Sequence, residues 1–306
     1  MPTPRGGGLV VAVVTIGAYL IASVLLPFDI SWGFVIGASI ILLVSWLDDV
    51  YSVSFIWRLI VQSAAAIIFI SSNGNVSMIS FGVSGAEIEV GRAGALLTFC
   101  WIVWLVNAYN FMDGIDGIAG TQALTAGAGW LLLGFGWQMP AIFILGGTLL
   151  FVSVAFLLHN WPPARIFMGD AGSAFLGFVF AALPLLSGTE NGSRSNFLPF
   201  AGVLFVWMFL FDSVFTFVRR ILKREKVWNA HREHLYQRLV ISGLSHRTVT
   251  ILYGALSALI TTSVVAAAGI RTQNAFYGVL ANVVVISALV FILCWKRRCL
   301  FGEVRY

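Results

Sequence analysis

Long apolar runs broken by short polar stretches dominate the chain, and Leu9–Leu26, Trp32–Leu47, Ala95–Leu105, Ala141–Leu158, Phe197–Phe211 and Val279–Trp295 are the clearest. Several approach or reach the ~20 apolar residues that a helix needs to cross the hydrocarbon of a bilayer. The pattern predicts spans at residues 9–27, 32–47, 54–71, 94–109, 117–136, 139–158, 172–187, 197–217, 247–269 and 274–295. The fold class this implies is all-α: a polytopic transmembrane helix bundle of about ten spans with short connections. It is read as one domain over residues 1–306, without internal repeat or low-complexity tract. Ala86-Glu87-Ile88-Glu89-Val90 alternates like a strand behind Gly82 and Gly85, so a small hairpin is expected on the outer side.

Composition agrees with a bilayer protein. The chain is 59% hydrophobic and only 10% charged, against an apolar share nearer ~45–50% in soluble domains. An even number of spans puts both termini on one side, and Lys and Arg choose that side, because cytoplasmic loops hold the excess of positive charge. With the N-terminus inside, fifteen of the eighteen basic residues are cytoplasmic; only Arg92, Arg194 and Arg271 fall outside. The net charge of +5 thus follows topology rather than a soluble basic face, and nucleic acid is not an expected partner. Cys100, Cys294 and Cys299 lie in or beside spans without paired spacing, which indicates neither disulfide nor zinc. The first apolar run is as long as a span and reads as a retained helix rather than a signal peptide.

The acids are less evenly placed. Six of thirteen fall at inner ends of spans: Asp48, Asp49, Asp113, Asp116 and Asp170, with Asp212 slightly deeper. Carboxylates at the bilayer boundary are costly and usually mark function. Asp48 and Asp49 close a helix at its negative dipole end, where stability gives no reason for them. Asn107 to Gly120 combines Asn107, Asn110, Asp113, Gly114 and Asp116, which offers hydrogen bonds for a base or ribose and oxygen ligands for magnesium. The plain alternative makes Asp113 or Asp116 an N-cap of the next helix. Asp170, between Gly169 and Ala171-Gly172, repeats that choice between ligand and cap. Asn160, Trp161, Pro162, Pro163 and Arg165 make the preceding loop polar and kinked. His231-Arg232-Glu233-His234 lies in the longest basic loop, and its two imidazoles share a face if the piece is helical. His159 and His246 read as interfacial structural residues.

These segments resemble, in order, those of the polyprenyl-phosphate N-acetylhexosamine-1-phosphate transferases. That family, glycosyltransferase family 4, includes phospho-MurNAc-pentapeptide translocase and the undecaprenyl-phosphate GlcNAc-1-phosphate transferases. Pro2 to Gly8 resembles its first cytoplasmic loop, Leu47-Asp48-Asp49 its acidic pair, and Asn107 to Gly120 its nucleotide loop. Asn160 to Ser173 resembles its Phe-Met-Gly-Asp segment, and His231 to His234 its His-containing loop. The extension Leu235-Tyr236-Gln237-Arg238-Leu239 is more similar to the O-antigen-initiating branch than to the peptidoglycan branch. Members carry a hydrophobic helix ahead of the first loop, whereas this sequence begins at the loop.

The resemblance implies transfer of N-acetylhexosamine 1-phosphate from a UDP-N-acetylhexosamine to polyprenyl (undecaprenyl) phosphate, with release of UMP. It places the protein in the bacterial inner membrane, its catalytic loops facing the cytoplasm. It implies Mg2+, with Mn2+ as a substitute: Asp170 as principal metal ligand with Asp113, and Asp48 and Asp49 near the lipid phosphate. Asn107, Asn110, Asp113, Gly114, Asp116, Asn160 and Phe167 would bind the nucleotide, with Phe167 stacking near uracil. His231, Arg232 and His234 would face the pyrophosphate or sugar. The bilayer is a partner, and a homodimer is among the assemblies it allows. The rival readings are a cation-coupled transporter, which intramembrane acids such as Asp212 also suggest, and an inactive member lacking the first helix.

Overall fold

A computed structural model describes residues 3–81, 87–186, 193–225, 232–270 and 272–297. Helices account for nearly all of it: α1 (Gly7–Leu25), α2 (Trp32–Tyr51), α3 (Phe55–Asn73), α4 (Gly94–Phe111), α5 (Ile118–Trp137), α6 (Pro140–Asn160), α7 (Asp170–Ala182), α8 (Ser193–Phe205), α9 (Trp207–Leu222), α10 (Leu235–Ile241), α11 (His246–Ile270) and α12 (Gln273–Lys296). Strands β1 (Met78–Ser80) and β2 (Glu87–Glu89) pair antiparallel, with Ile79 opposite Ile88, so the expected hairpin is present.

Local chemistry accounts for the helix ends. The Ser31 hydroxyl accepts the Phe34 amide at the start of α2, and left-handed Ser52 closes that helix. Pro140 opens α6, where its missing N–H costs nothing. Thr272 caps α12 through the Ala275 amide.

Among the described residues, eight helices are long and apolar enough to cross a membrane. Their outer faces carry apolar side chains with no protein cover, such as Val24 at 81% and Leu158 at 75% exposed. The interior meanwhile holds polar groups, among them Gln122, Asp212 and Arg220. That distribution is the one a lipid solvent requires. The chain is a multi-pass membrane protein.

Two predicted spans differ from simple crossings. The one placed at 172–187 is the short helix α7, extended by a 3-10 turn at Leu183–Leu185 and buried from Ala171 to Pro184. The one placed at 197–217 is the pair α8 and α9, bent by 66° at Val206. The break frees backbone groups, and buried Gln122 of α5 donates to the Phe205 carbonyl at 2.7 Å. Counted as one span, the bent pair brings the number to nine.

The core is aromatic around α7. Phe178 packs on Phe34 and Phe69, and Tyr109 lies between Phe180 and Phe209. α7 is thereby gripped by α2, α3 and α4, with α1 also packed against it, and its N-terminus is fixed at one end of the bundle. The loops after α2, α4 and α6 gather at that end, where the start of α10 also packs against the end of α4, and the β-hairpin lies at the other.

Candidate active site

The site is built around the first turn of α7. Asp49, in the last turn of α2, accepts the backbone amides of Asp170 and Ala171 at 3.0 Å each. It therefore caps α7 from another helix, and its negative charge meets the positive helix end. Gly169 makes this approach possible: its φ is +77°, and a Cβ there would lie 2.7 Å from Asp49 Oδ2. The tertiary fold thus supplies the stabilising reason for Asp49 that the sequence lacks.

With its amide capped by Asp49, Asp170 keeps its side chain for other partners. Its Oδ2 accepts from Arg58 Nη1 and Asn110 Nδ2, both at 3.3 Å. Arg58 also pairs with Asp48 at 2.6 Å, so one guanidinium bridges the acidic pair and the α7 terminus. Asn110 is oriented by the Ser173 hydroxyl, which donates to its Oδ1 at 2.7 Å.

The loop after α4 supplies two more acids, and neither caps α5. The N-cap is Gly117, whose amide donates to Asn160 Oδ1 at 2.9 Å. Asp116 Oδ2 instead accepts the Ala164 amide at 3.1 Å and faces His246 Nδ1 at 3.6 Å. The Asn160 amide donates to the Ile166 carbonyl at 2.8 Å, so this buried side chain ties the two loops together. The N-terminal segment closes the wall: Gly7 and Gly8 donate to the carbonyls of Phe167 and Met168, and Phe167 donates to Pro4.

Between these elements lies a polar cleft of about 340 Å³, lined by Asp49, Asn110, Asp113, Gly114, Asp116, Asn160, Phe167 and Asp170 together with Arg5 and His246. Burial pushes the Asp113 carboxyl well above the usual carboxylate range, and the charges of Asp170, Asp49 and Asp116 push it further. A second cavity, of about 430 Å³, lies on the other side of α4. It is an apolar groove lined by Phe55, Phe99, Val103, Trp104, Phe111 and Phe217, with Asn107, Thr216, Arg220 and His234 among its polar members.

Eight of the residues singled out from sequence therefore meet in one cleft. Asp48 is held beside it by Arg58. Asn107 lies outside it: it hydrogen-bonds Gln62 and the Val103 carbonyl and lines the groove. His234 also belongs to the groove, and Arg232 is exposed. His231 lies outside the described residues. The described residues Arg232 to His234 are not helical: α10 begins at Leu235 with His234 as its N-cap.

Sequence reasoning missed Arg5, Arg58 and His246. For Arg58 a signal existed, since it is the cation nearest the acidic pair in the chain. His246 was read as structural, yet it lines the cleft wall opposite Asp116.

The model of the family described as glycosyl transferase family 4 matches residues 31–188, which carry the acidic pair, the Asn/Asp loop and the α7 terminus. The chain belongs to that family. It is 30% identical over 260 residues to the probable undecaprenyl-phosphate N-acetylglucosaminyl 1-phosphate transferase of Bacillus subtilis (strain 168), covering 82% of this chain and 69% of that protein. The decaprenyl-phosphate N-acetylglucosaminephosphotransferase of Mycobacterium tuberculosis (strain ATCC 25618 / H37Rv) is 30% identical over 285 residues, with the same two coverages. The undecaprenyl-phosphate alpha-N-acetylglucosaminyl 1-phosphate transferase of Escherichia coli O157:H7 is 26% identical over 270 residues, covering 85% of this chain and 71% of that protein. The general reaction of this chain is accordingly that of a polyprenyl-phosphate sugar-phosphate transferase.

Proposed function

We propose that this family 4 enzyme transfers N-acetylhexosamine 1-phosphate from a UDP-sugar to undecaprenyl phosphate. N-acetylglucosamine is the foremost donor sugar, because the relatives' names specify it. The observation that carries the reading is the pair of cavities flanking α4: a carboxylate-lined polar cleft on one side and an apolar groove with a cationic member on the other. A charged, water-soluble donor suits the first, and the chain of a polyprenyl phosphate suits the second. The concentration of Lys and Arg at the same end supports a cytoplasmic site in a bacterial inner membrane, where a cytosolic nucleotide sugar would reach the cleft. The form of the 232–239 segment supports an O-antigen or related envelope polysaccharide as the product's destination.

In the reaction an oxygen of the lipid phosphate forms a bond to the β-phosphorus of the donor. The bond from that phosphorus to the bridging oxygen breaks, and the electron pair leaves on UMP. Both reactants are anionic, so the barrier is largely electrostatic. Phe167, 39% exposed on the cleft wall, offers a face for the uracil ring. Asn110 and Asp116 offer hydrogen bonds to the nucleoside. Arg5 and Arg58 offer charge to the phosphates, Arg58 by exchanging its present carboxylate partners for them.

The residues also fit a divalent cation. Four carboxylates face one another closely enough to raise the Asp113 pKa, a repulsion that a cation relieves. Among the described residues no three His, Cys, Asp or Glu side chains are arranged to hold an ion alone. This suits Mg2+, which keeps waters and takes substrate phosphates beside one or two carboxylates. Asp170 and Asp113 would hold it, and when bound it supplies neutralising charge to the diphosphate.

Transport as the alternative rested on Asp212. That carboxylate is fully buried, accepts its hydrogen bonds from protein groups and lines neither cavity. The test of the transferase reading is to incubate purified protein with undecaprenyl phosphate, Mg2+ and a panel of UDP-N-acetylhexosamines while following UMP release. UMP is expected from at least one donor; none from any, with folded protein, refutes it.

A further inference from the structure

Asp212 is an acid that the transfer site does not touch, yet it is the most heavily bonded carboxylate described. It lies in α9 at 0% exposure. Its Oδ1 accepts from the Leu235 amide at 2.8 Å and from the Thr216 hydroxyl at 3.2 Å, and faces His234 Nδ1 at 3.2 Å. Its Oδ2 accepts from the Tyr236 amide at 3.0 Å and the Tyr253 hydroxyl at 2.8 Å. The two amides and two hydroxyls all donate, so the position suits a group that only accepts, which a carboxylate is and an amide is not. Satisfying these four donors accounts for the burial of the carboxylate.

The arrangement does more than tie α9, α10 and α11 together. A carboxylate oxygen facing a ring nitrogen favours the tautomer with the proton on that nitrogen, so Asp212 competes for Nδ1 with the Gln237 amide, which approaches the same side chain from the first turn of α10. The ring is further held by stacking on Tyr236, with centroids 5.8 Å apart. His234 in turn lines the apolar groove beside Thr216 and Arg220. The same network reaches the acid loop: the Tyr236 hydroxyl donates to the Phe111 carbonyl at 3.0 Å, at the end of α4. A β-carbon on Gly114 would collide with that hydroxyl.

We propose that Asp212 is a positioning residue for the transfer reaction: it holds the His234 imidazole, in its Nδ1-protonated form, where the groove receives the phosphate of the acceptor lipid. The proposal rests on the transferase reading for its reaction, but its central contact can be tested without turnover.

The experiment has two arms. The first is 15N NMR of histidine-labelled protein in micelles above pH 9, with the His234 signal identified by its loss in H234N. We expect Nδ1–H for His234 in the wild type, reversal to the Nε2–H form usual in solution for Asp212→Asn, and no change for Tyr253→Phe. An Nε2–H ring in the wild type overturns the proposal whether or not the protein turns over any donor and whether or not D212N folds.

The second arm is kinetic. D212N should lower kcat about tenfold or more, as loss of a tautomer-fixing carboxylate does, with the donor KM unchanged. Y253F, which removes a donor from the same carboxylate but leaves the histidine contact, should stay within about threefold of wild type by the modest worth of one hydrogen bond. The double variant D212N/H234N should be no slower than H234N alone, since two residues acting as a unit are not additive. Additive losses, or equal losses in D212N and Y253F, assign Asp212 a structural role only and overturn the proposal. An inactive wild type with an Nδ1–H ring would instead count against the transferase reading and leave the contact established.

Discussion

The cleft and the groove share α4 and are chemically opposite. Asn110 turns into the cleft, while Asn107, one helical turn earlier, lines the groove with Ala108 and Phe111. In the cleft, carboxylates outnumber cations, and they add to the burial that raises the pKa of Asp113. In the groove, aromatic and aliphatic walls carry Arg220 and His234 among them. Under the proposed function, the contrast teaches how a bilayer enzyme could admit a water-soluble anion and a lipid to one reaction: a single helix would separate their surroundings and bring their ends together.

The strongest way to break the comparison is at Asp170. Asp170→Asn should reduce turnover roughly a thousandfold, the scale for losing an electrostatic group at a reacting phosphate. It should also abolish the stabilisation that Mg2+ gives in thermal unfolding, and full activity in this variant would remove Asp170 from the metal role. The groove can be attacked alone. Cys100 is an exposed groove residue, and Cys100→Trp should raise the KM for the lipid acceptor about tenfold, equivalent to ~1.4 kcal/mol, while leaving donor binding unchanged. A parallel rise in donor KM would mean that the cavities do not sort the substrates as described.

A smaller effect is expected at Asp113. A carboxyl whose pKa is raised by folding binds its proton more tightly folded than unfolded, so it costs stability as pH rises through the raised value. Without metal, Asp113→Asn should therefore raise Tm at pH 8 by about 2–4 °C, and the gain should shrink as the pH is lowered toward the unfolded-state value. With Mg2+ present the order should reverse; differential scanning fluorimetry with and without EDTA reads both. The smallest effect is expected at His246, whose contact with Asp116 is 3.6 Å long and partly exposed. Pairs of this kind contribute little, so His246→Asn should change donor KM by about twofold to fivefold and leave acceptor KM alone.

Much of this site was legible before any coordinates. Asp113, Asp116 and Asp170 stand out because acids among glycines at span ends have few structural uses. The alternative of helix capping was reasonable for each and is wrong for these three in an instructive way. The cap of α7 comes from Asp49, 121 residues away in sequence, and the amide at the start of α5 is taken by Asn160. No local pattern encodes either pairing. The same holds for Arg58, whose position in the chain suggests an interest in Asp48 but cannot reveal that it also reaches Asp170. His246 was passed over because a single histidine at a span end gives no period or motif to read. Asn107 was placed with Asn110 because spacing alone does not say which side of a helix faces which cavity.

The sequence by itself determined the membrane class, the approximate span positions, the clustering of acids at one end and the family. The class and the spans follow from transfer free energies summed over each apolar run, and the end at which the acids gather from charge bias in loops, both local along the chain; the family follows from the resemblance of the motifs in their order. Only the tertiary structure decided the short buried α7, the break between α8 and α9, and the division of labour among the carboxylates. The physical reason is that a carboxylate's role is set by the donors within about 3 Å of its oxygens. For Asp49, Asp170 and Asp212 those donors come mainly from distant segments, brought close by packing rather than by proximity in the chain.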